Sequence, residues 1–333
     1  MVLVLGRPDI EAVFTMKDAI AAGEKAFKEL ALGTVVMPLR PVIPVKEEGK
    51  LKGRFSLMPA YIGGDMKALG VKVITAFPEN LNKGLPLILG TVLLNDSSTG
   101  ELLGIFEGGY VTALRTGAAG GISAKYLARE DSEVVGLFGT GPQAQTQLEA
   151  VAVVRKIKKA KVISRDPGHV KAFCNEMGKL LDIDVVPAKD SKDAVVGCDI
   201  VITATSAQQP VFKGEWLERG THIIGIGSHH GPGIKEIDEV AVKKSKLVVD
   251  SREACLAEAG DIIDPIRSGV ITADHIYAEL GEIIAGKKKG RENDSEITFF
   301  KSVGLAIQDV STVAAIYERA IKKGVGTEIL IKR

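Results

Sequence analysis

The stretch VVGLFGTGPQAQTQLEAV (134–151) decides how this chain folds. Val134, Val135, Leu137 and Phe138 form a short apolar run suited to a buried strand, and the run stops at a glycine turn that opens straight into a helical pattern. Gly139 and Gly141 permit a tight turn and let the backbone approach a pyrophosphate with no Cβ in the way. Ala144 holds the third small position, where the new helix must pack close on the strand. Pro142 suits the first helical turn because no N–H is needed there. The N–H groups of that turn, Thr140 and Gln143 among its residues, then face phosphate oxygens with the helix dipole behind them. A strand before and a helix after are the context a dinucleotide-binding turn requires, and a glycine turn in some other α/β unit is the alternative.

The end of the next strand, AKVISRD (160–166), is where an adenosine ribose would be met. A cofactor lacking the 2′-phosphate usually finds Asp or Glu there. This chain presents Ser164 and Arg165, a hydroxyl and a guanidinium that can bind a 2′-phosphate, so NADP(H) is expected ahead of NAD(H). NAD(H) stays open if Arg165 is only a solvated charge at a strand end. Asp166 stands one residue late for the ribose role.

At 333 residues and a formal net charge of +1, the chain is long enough for two cores and carries no large field. Basic residues are scattered apart from the run 287–291, so nucleic acid is not an expected partner. Cys174, Cys198 and Cys255 are odd in number and have no C-x-x-C spacing, which points away from disulfides and from a zinc site, and no metal is expected. Residues 1–10 do not read as a signal peptide, being interrupted by Arg7, Pro8 and Asp9, and no unbroken apolar segment is long enough for a bilayer. A cytoplasmic protein with no membrane partner is the expectation.

Thr15 caps a first helix whose apolar positions Met16, Ala19, Ile20, Ala26, Phe27 and Leu30 follow a 3.6-residue period. Past Gly33 the pattern shortens into β-like runs at 41–46, 53–59, 70–76, 85–95 and 101–107, with a turn at 96–100. Helical pattern resumes at Thr112, and LRTGAAGGISAKYLA (114–128) is rich enough in small residues for another backbone to lie close. After the glycine turn, strand-like runs at 161–164, 199–205, 222–227 and 246–251 alternate with helical stretches. Residues 297–323 read as one long helix and 327–332 as a closing strand. The expected fold class is therefore α/β. A Rossmann doubly wound parallel sheet over 116–299 is inserted in a discontinuous α+β domain made of 1–115 with 300–333.

SLMPAYI (56–62), LGVKVITAFPEN (69–80), KGLP (83–86), ALRTGAAGGISAKYLAR (113–129), GTGPQA (139–144) and TFFKSVGLAIQDV (298–310) together resemble the ornithine cyclodeaminase and mu-crystallin family. That family also contains archaeal alanine dehydrogenase and reductases of cyclic imino acids. The resemblance spans nearly the whole chain and implies an N-terminal substrate-binding and dimerisation domain, a Rossmann domain and a homodimer. It implies that a substrate carboxylate is held at the positions matching Arg40, Lys72 and Arg115, with Lys72 also a catalytic candidate; residues such as Met58 and Phe77 are the candidates for shaping the pocket. Guanidinium groups grip a carboxylate with two parallel hydrogen bonds and an ammonium adds charge, so the residue types suit the task. Thr116, Thr205, Ser206, Ser302 and Gly304 are implied to lie along the cofactor.

The chain departs from the family at HIIGIGSHHGPGIKEID (222–238). Cyclodeaminases carry Gly-Ala-Asp there, and the Asp serves deamination. This chain has His229 in its place, or His230 if the one-residue insertion is placed otherwise. Loss of the carboxylate speaks against a lyase, whereas an imidazole can donate a proton to an imine nitrogen. His229 and His230 are therefore catalytic candidates, a turn histidine being the alternative. The sequence favours NAD(P)H-dependent reduction of a small α-imino acid such as 1-pyrroline-2-carboxylate or 1-piperideine-2-carboxylate. Alanine dehydrogenase, ornithine cyclodeaminase and a non-catalytic nucleotide-binding protein are the alternatives.

Overall fold

The computed structural model describes residues 1–227 and 231–331. The chain divides into two compact units, Met1–Arg115 with Leu305–Arg333, and Thr116–Gly304.

In the first unit β1 (Val2–Leu5) and the short α1 (Arg7–Val13) precede α2 (Met16–Leu32). Thr15 and Asp18 close a reciprocal capping box at the start of α2, and Gly33, at φ 78, ends it in the left-handed conformation. There follow β2 (Val35–Val36), β3 (Val42–Glu47), β4 (Lys50–Ile62), β5 (Ala68–Ala76), β6 (Ile88–Asp96) and β7 (Leu102–Glu107). The helix expected from Thr112 starts four residues earlier, as α3 (Gly108–Leu127), and the boundary between the units falls within it.

The second unit continues with β8 (Val134–Phe138), α4 (Pro142–Val154), β9 (Lys159–Ile163), α5 (Pro167–Leu181), β10 (Asp184–Pro187), β11 (Ile200–Thr203) and β12 (His222–Gly225). Then come α6 (Glu239–Lys244), β13 (Lys246–Val249), α7 (Arg252–Glu258), α8 (Gly260–Arg267), β14 (Ile276–Glu279), α9 (Leu280–Ile284) and β15 (Thr298–Lys301). All these strands pair in parallel, in the order β10-β9-β8-β11-β12-β15-β13-β14. The chain winds outward from β8 in one direction and resumes from β11 in the other. The crevice at the carboxyl ends of β8 and β11 is thus the topological switch point where ligands of such sheets bind.

Residues 297–323, expected as one helix, divide into two elements. Thr298, Phe299, Phe300 and Lys301 form β15, buried on both faces between β12 and β13, and α10 (Ala306–Lys323) begins only after Gly304, which has φ 78. An apolar run covered on both faces has no alternation to betray it as a strand. β16 (Thr327–Ile329) then pairs antiparallel with β1, a strand the sequence did not announce, and the first sheet runs β16-β1-β7-β6-β5-β4-β2 with β3 on β4. α10 packs on α2 and on the face of β4, β5 and β6.

The small residues of α3 have a definite neighbour. A Cβ on Gly117 would lie 2.6 Å from the backbone oxygen of Thr146 in α4, and one on Gly121 would lie 2.9 Å from Ala150 Cβ. The two helices therefore meet backbone to backbone. Gly117→Ala is expected to cost about 1–3 kcal/mol by overpacking this contact. A melting temperature lower by several degrees, about 2–4 °C for each kcal/mol, would be its sign in thermal unfolding.

Candidate functional site

The nucleotide turn forms as its residues require. Gly139 sits at φ 112, and a Cβ there would lie 2.4 Å from Ala204 O, so the turn accepts only glycine. Gly141 is the extended cap of α4, Pro142 its first residue, and Ala144 is fully buried against the sheet. A Cβ on Gly141 would meet none of the surrounding protein within 4 Å, so that direction is open. Gly139, Thr140, Gly141, Ser164, Arg165, Thr205 and Ser206 line one cavity of ≈ 490 Å³, together with Ser191. Asp166 is spent elsewhere, since its carboxylate caps α5 by accepting from Gly168 N and His169 N at 2.8 and 3.1 Å.

The protein itself engages at least one polar group of three of the remaining cofactor candidates. Thr116 O accepts from Gln147 Nε2 at 2.7 Å. Asp250 accepts from Ser302 Oγ at 2.7 Å and from Gly304 N at 2.8 Å, which fixes the turn after β15. His229 and His230 lie outside the described residues.

In the first unit the substrate candidates converge. Met58, Lys72, Val92 and Phe106 form one registered row across β4, β5, β6 and β7, all buried on the face that α10 covers. Lys72 is the charged member of that row. Its Nζ lies 2.8 Å from both carboxylate oxygens of Asp309 on α10 and 3.3 Å from Thr112 Oγ1. Arg115 Nε donates to Asp309 Oδ1 at 3.0 Å and Arg115 Nη1 to Gln308 Oε1 at 2.9 Å. Arg40 reaches the same corner, with Nη1 3.9 Å from Met58 Sδ.

The electrostatics follow from the count of charges. Two buried cations, Lys72 and Arg115, share one carboxylate, and a guanidinium does not give up its proton. The strain falls on Lys72. Burial, Arg115 and Arg40 push its ammonium down to about 7, against the opposing pull of Asp309.

Asp309 and Gln308 were not singled out from the sequence, nor was Glu236. The carboxylate of Glu236 is fully buried and takes Thr205 N, Thr205 Oγ1 and Gly227 N at 2.7, 2.5 and 2.8 Å. Burial pushes its pKa up, while Lys301 and the Thr205 hydrogen bonds oppose that rise. Among the described residues no group of His, Cys, Asp or Glu is arranged to hold a metal, and no helix is long and apolar enough to cross a membrane.

The family model described as ornithine cyclodeaminase/mu-crystallin matches residues 2–324. The structure of the Δ1-pyrroline-2-carboxylate reductase of Thermococcus litoralis, solved with NADH and L-proline, is 49% identical, covers 98% of this chain and 100% of its own, and superposes with a TM-score of 0.94. An archaeal alanine dehydrogenase dimer with bound NAD is 40% identical over 99% of both chains, with a TM-score of 0.90. The Δ1-pyrroline-2-carboxylate reductase of Bacillus cereus is 39% identical over 98% of this chain and 99% of its own.

The depressed Lys72 group makes stability depend on pH in a known direction. Between about 7 and 10.5 the unfolded chain keeps a proton that the folded chain has released, so stability rises with pH across that window. The slope is at most about 1.4 kcal/mol per pH unit. Urea unfolding at several pH values is expected to show this rise in the parent and a flatter profile in Lys72→Met.

Proposed function

Because the chain belongs to the ornithine cyclodeaminase/mu-crystallin family, we propose that it is an NAD(P)H-dependent reductase of a small α-imino acid, with 1-pyrroline-2-carboxylate as substrate and L-proline as product. The observation that carries this reading is the imbalance around Asp309: two cations and one carboxylate leave room for a second carboxylate, which the substrate brings. Gln308 adds to the case. Two donors, Arg115 Nη1 and Leu305 N, fix its carbonyl oxygen, and its buried NH₂ has no partner among the described residues.

In this reading Arg115 and Lys72 grip the carboxylate, with Arg40 adding charge and Met58 supplying an apolar wall. A substrate carboxylate would draw the Lys72 pKa back up and so strengthen its own binding. Before that, Lys72 Nζ holds its proton loosely enough at neutral pH to release it, and His229 and His230 remain candidates from the sequence for a donor to the imine nitrogen. The dinucleotide, when bound, supplies the hydride that the imine carbon accepts. The turn at 139–144 fits its pyrophosphate, since the cap of α4 offers N–H groups and no side chain intrudes at Gly141.

For the second phosphate, Ser164 and Arg165 line the cavity and Asp166, the nearby carboxylate, is engaged as a helix cap, so NADP(H) is the favoured cofactor. NAD(H) is the control, since the structural relatives were solved with NADH and NAD. Three buried free thiols suit a reducing, cytoplasmic setting.

We also propose a homodimer. The face of the first sheet opposite Lys72 carries Phe55, Leu57, Val73 and Leu89 with Ile43 beside them, and Ile43 and Leu89 are 56% and 46% exposed. An open apolar sheet face of this kind is a protein–protein surface, and the archaeal relative was solved as a dimer.

The test is oxidation of NADPH, followed at the nicotinamide absorbance, with 1-pyrroline-2-carboxylate beside pyruvate plus ammonia and with NADH as the second donor. Turnover of the cyclic imine is expected, and Arg115→Met should cut kcat/KM by about 100-fold or more, the worth of a charge-assisted bidentate contact. No turnover of either substrate would sink the reading. By light scattering, Ile43→Asp with Leu89→Asp is expected to shift a dimer to a monomer; a parent that is already monomeric would refute the dimer.

A further inference from the structure

We infer that Glu236 is a positioning residue that fixes the Thr205 hydroxyl as a hydrogen-bond acceptor for the dinucleotide and locks the peptide of Gly227 beside it; this rests on the cofactor reading proposed above. Glu236 lies 31 residues from Thr205 in sequence and outside the turn at 139–144, so nothing in the nucleotide motif announces it.

The geometry leaves the network little freedom. Oε1 of Glu236 accepts from Thr205 N and Thr205 Oγ1, and Oε2 accepts from Gly227 N. The other end of Gly227 is held too, since its carbonyl oxygen accepts from Lys301 Nζ at 2.6 Å. Lys301 pairs with Asp261 at 2.5 Å, and Asp261 Oδ1 accepts from Glu236 N and Ile237 N at 2.7 and 2.9 Å, which closes the ring. Glu236, Lys301 and Asp261 are fully buried. A Cβ on Gly227 would stand 2.3 Å from Thr205 O and 2.6 Å from Glu236 Oε2, so the two segments meet only because residue 227 is glycine.

The consequence concerns Thr205. A hydroxyl has one proton and two lone pairs. The proton goes to Glu236, and one lone pair accepts from Ala207 N at 3.0 Å. What remains is a lone pair on a residue that lines the nucleotide cavity. Thr205 can therefore recognise an O–H or N–H of the ligand, a ribose hydroxyl or the nicotinamide carboxamide, and would repel phosphate oxygen. Glu236→Gln breaks this arrangement in either amide orientation, because its NH₂ must then face the N–H of Thr205 or of Gly227.

The experiment is fluorescence titration of the full-length protein with NADPH and with NADH, alongside steady-state KM values for the imino acid and thermal unfolding. Glu236→Gln and Thr205→Val are each expected to weaken dinucleotide binding about tenfold, the worth of one hydrogen bond, with the imino acid KM changed by less than about twofold. The double variant should be no weaker than the worse single, since the two residues act through one bond. Thr205→Ser, which keeps the hydroxyl, should bind like the parent. Titration with ADP-ribose assigns the donor: a loss in Thr205→Val equal to that for NADPH identifies the ribose, and a loss confined to the intact dinucleotides identifies the carboxamide. Binding within about twofold of the parent in Thr205→Val, or additive losses in the double variant, overturns the inference. Should Glu236→Gln fail to fold, Glu236→Asp, which keeps the charge but withdraws the oxygen from the Thr205 hydroxyl, takes its place in the same double-variant comparison with Thr205→Val. A parent that binds no dinucleotide fails the proposed function and this inference together, whereas a binding parent with unaffected variants fails this inference alone.

Discussion

The carboxylate of Asp309 is what allows Lys72 to exist where it does. An ammonium with no solvent exposure, in a row of Met58, Val92 and Phe106, would cost several kcal/mol if left alone. Asp309 lies within 2.8 Å of it and also accepts from Arg115, so one acid makes two cations tolerable in an apolar interior. The sharing is incomplete by one charge. Burial first, and then the nearby Arg115, pull Lys72 into the neutral range, and the missing charge is the physical ground for expecting a second carboxylate at the site.

The second unit solves a similar problem with the opposite outcome. Glu236, Asp261 and Lys301 are equally buried, yet their oxygens and protons are directed at one another and at the backbone of Thr205, Gly227, Glu236 and Ile237. Hydrogen bonds to peptide groups turn the charges into clamps on loops. Asp250 does the same for the turn after β15, gathering Ser302 Oγ and the N–H groups of Val303 and Gly304. One network carries an excess positive charge and the others hold backbone in place.

What could be read in the sequence was what local chemistry determines. Gly139, Pro142 and Ala144 act within one turn, so their spacing was enough to locate β8 and α4. The α2 cap at Thr15 and the runs that became β3 to β7 are likewise local. Asp309 and Glu236 carry no such mark, because their partners stand 194 to 237 and 31 residues away and only the folded chain brings them together. β15 hid in an expected helix because both its faces are covered, and β1 because a strand of four residues gives no period to read. Lys72 and Arg115 came from family blocks, and the excess charge they create could not be seen until Asp309 was placed between them.

The position of Asp309 on α10 also dictates an order of events during synthesis. Lys72 is made 237 residues before its counter-ion, with the whole of the second unit in between. Until α10 emerges, the sheet of the first unit lacks both the helix that covers its inner face and the acid that neutralises its buried lysine. The unit that begins the chain is therefore the last to finish folding, and the Rossmann sheet, whose strands are contiguous in sequence, can close first. A nascent chain stalled before residue 305 would hold a complete nucleotide turn beside a sheet whose inner apolar face and buried lysine are both uncovered, the kind of surface that makes unfinished chains prone to aggregate.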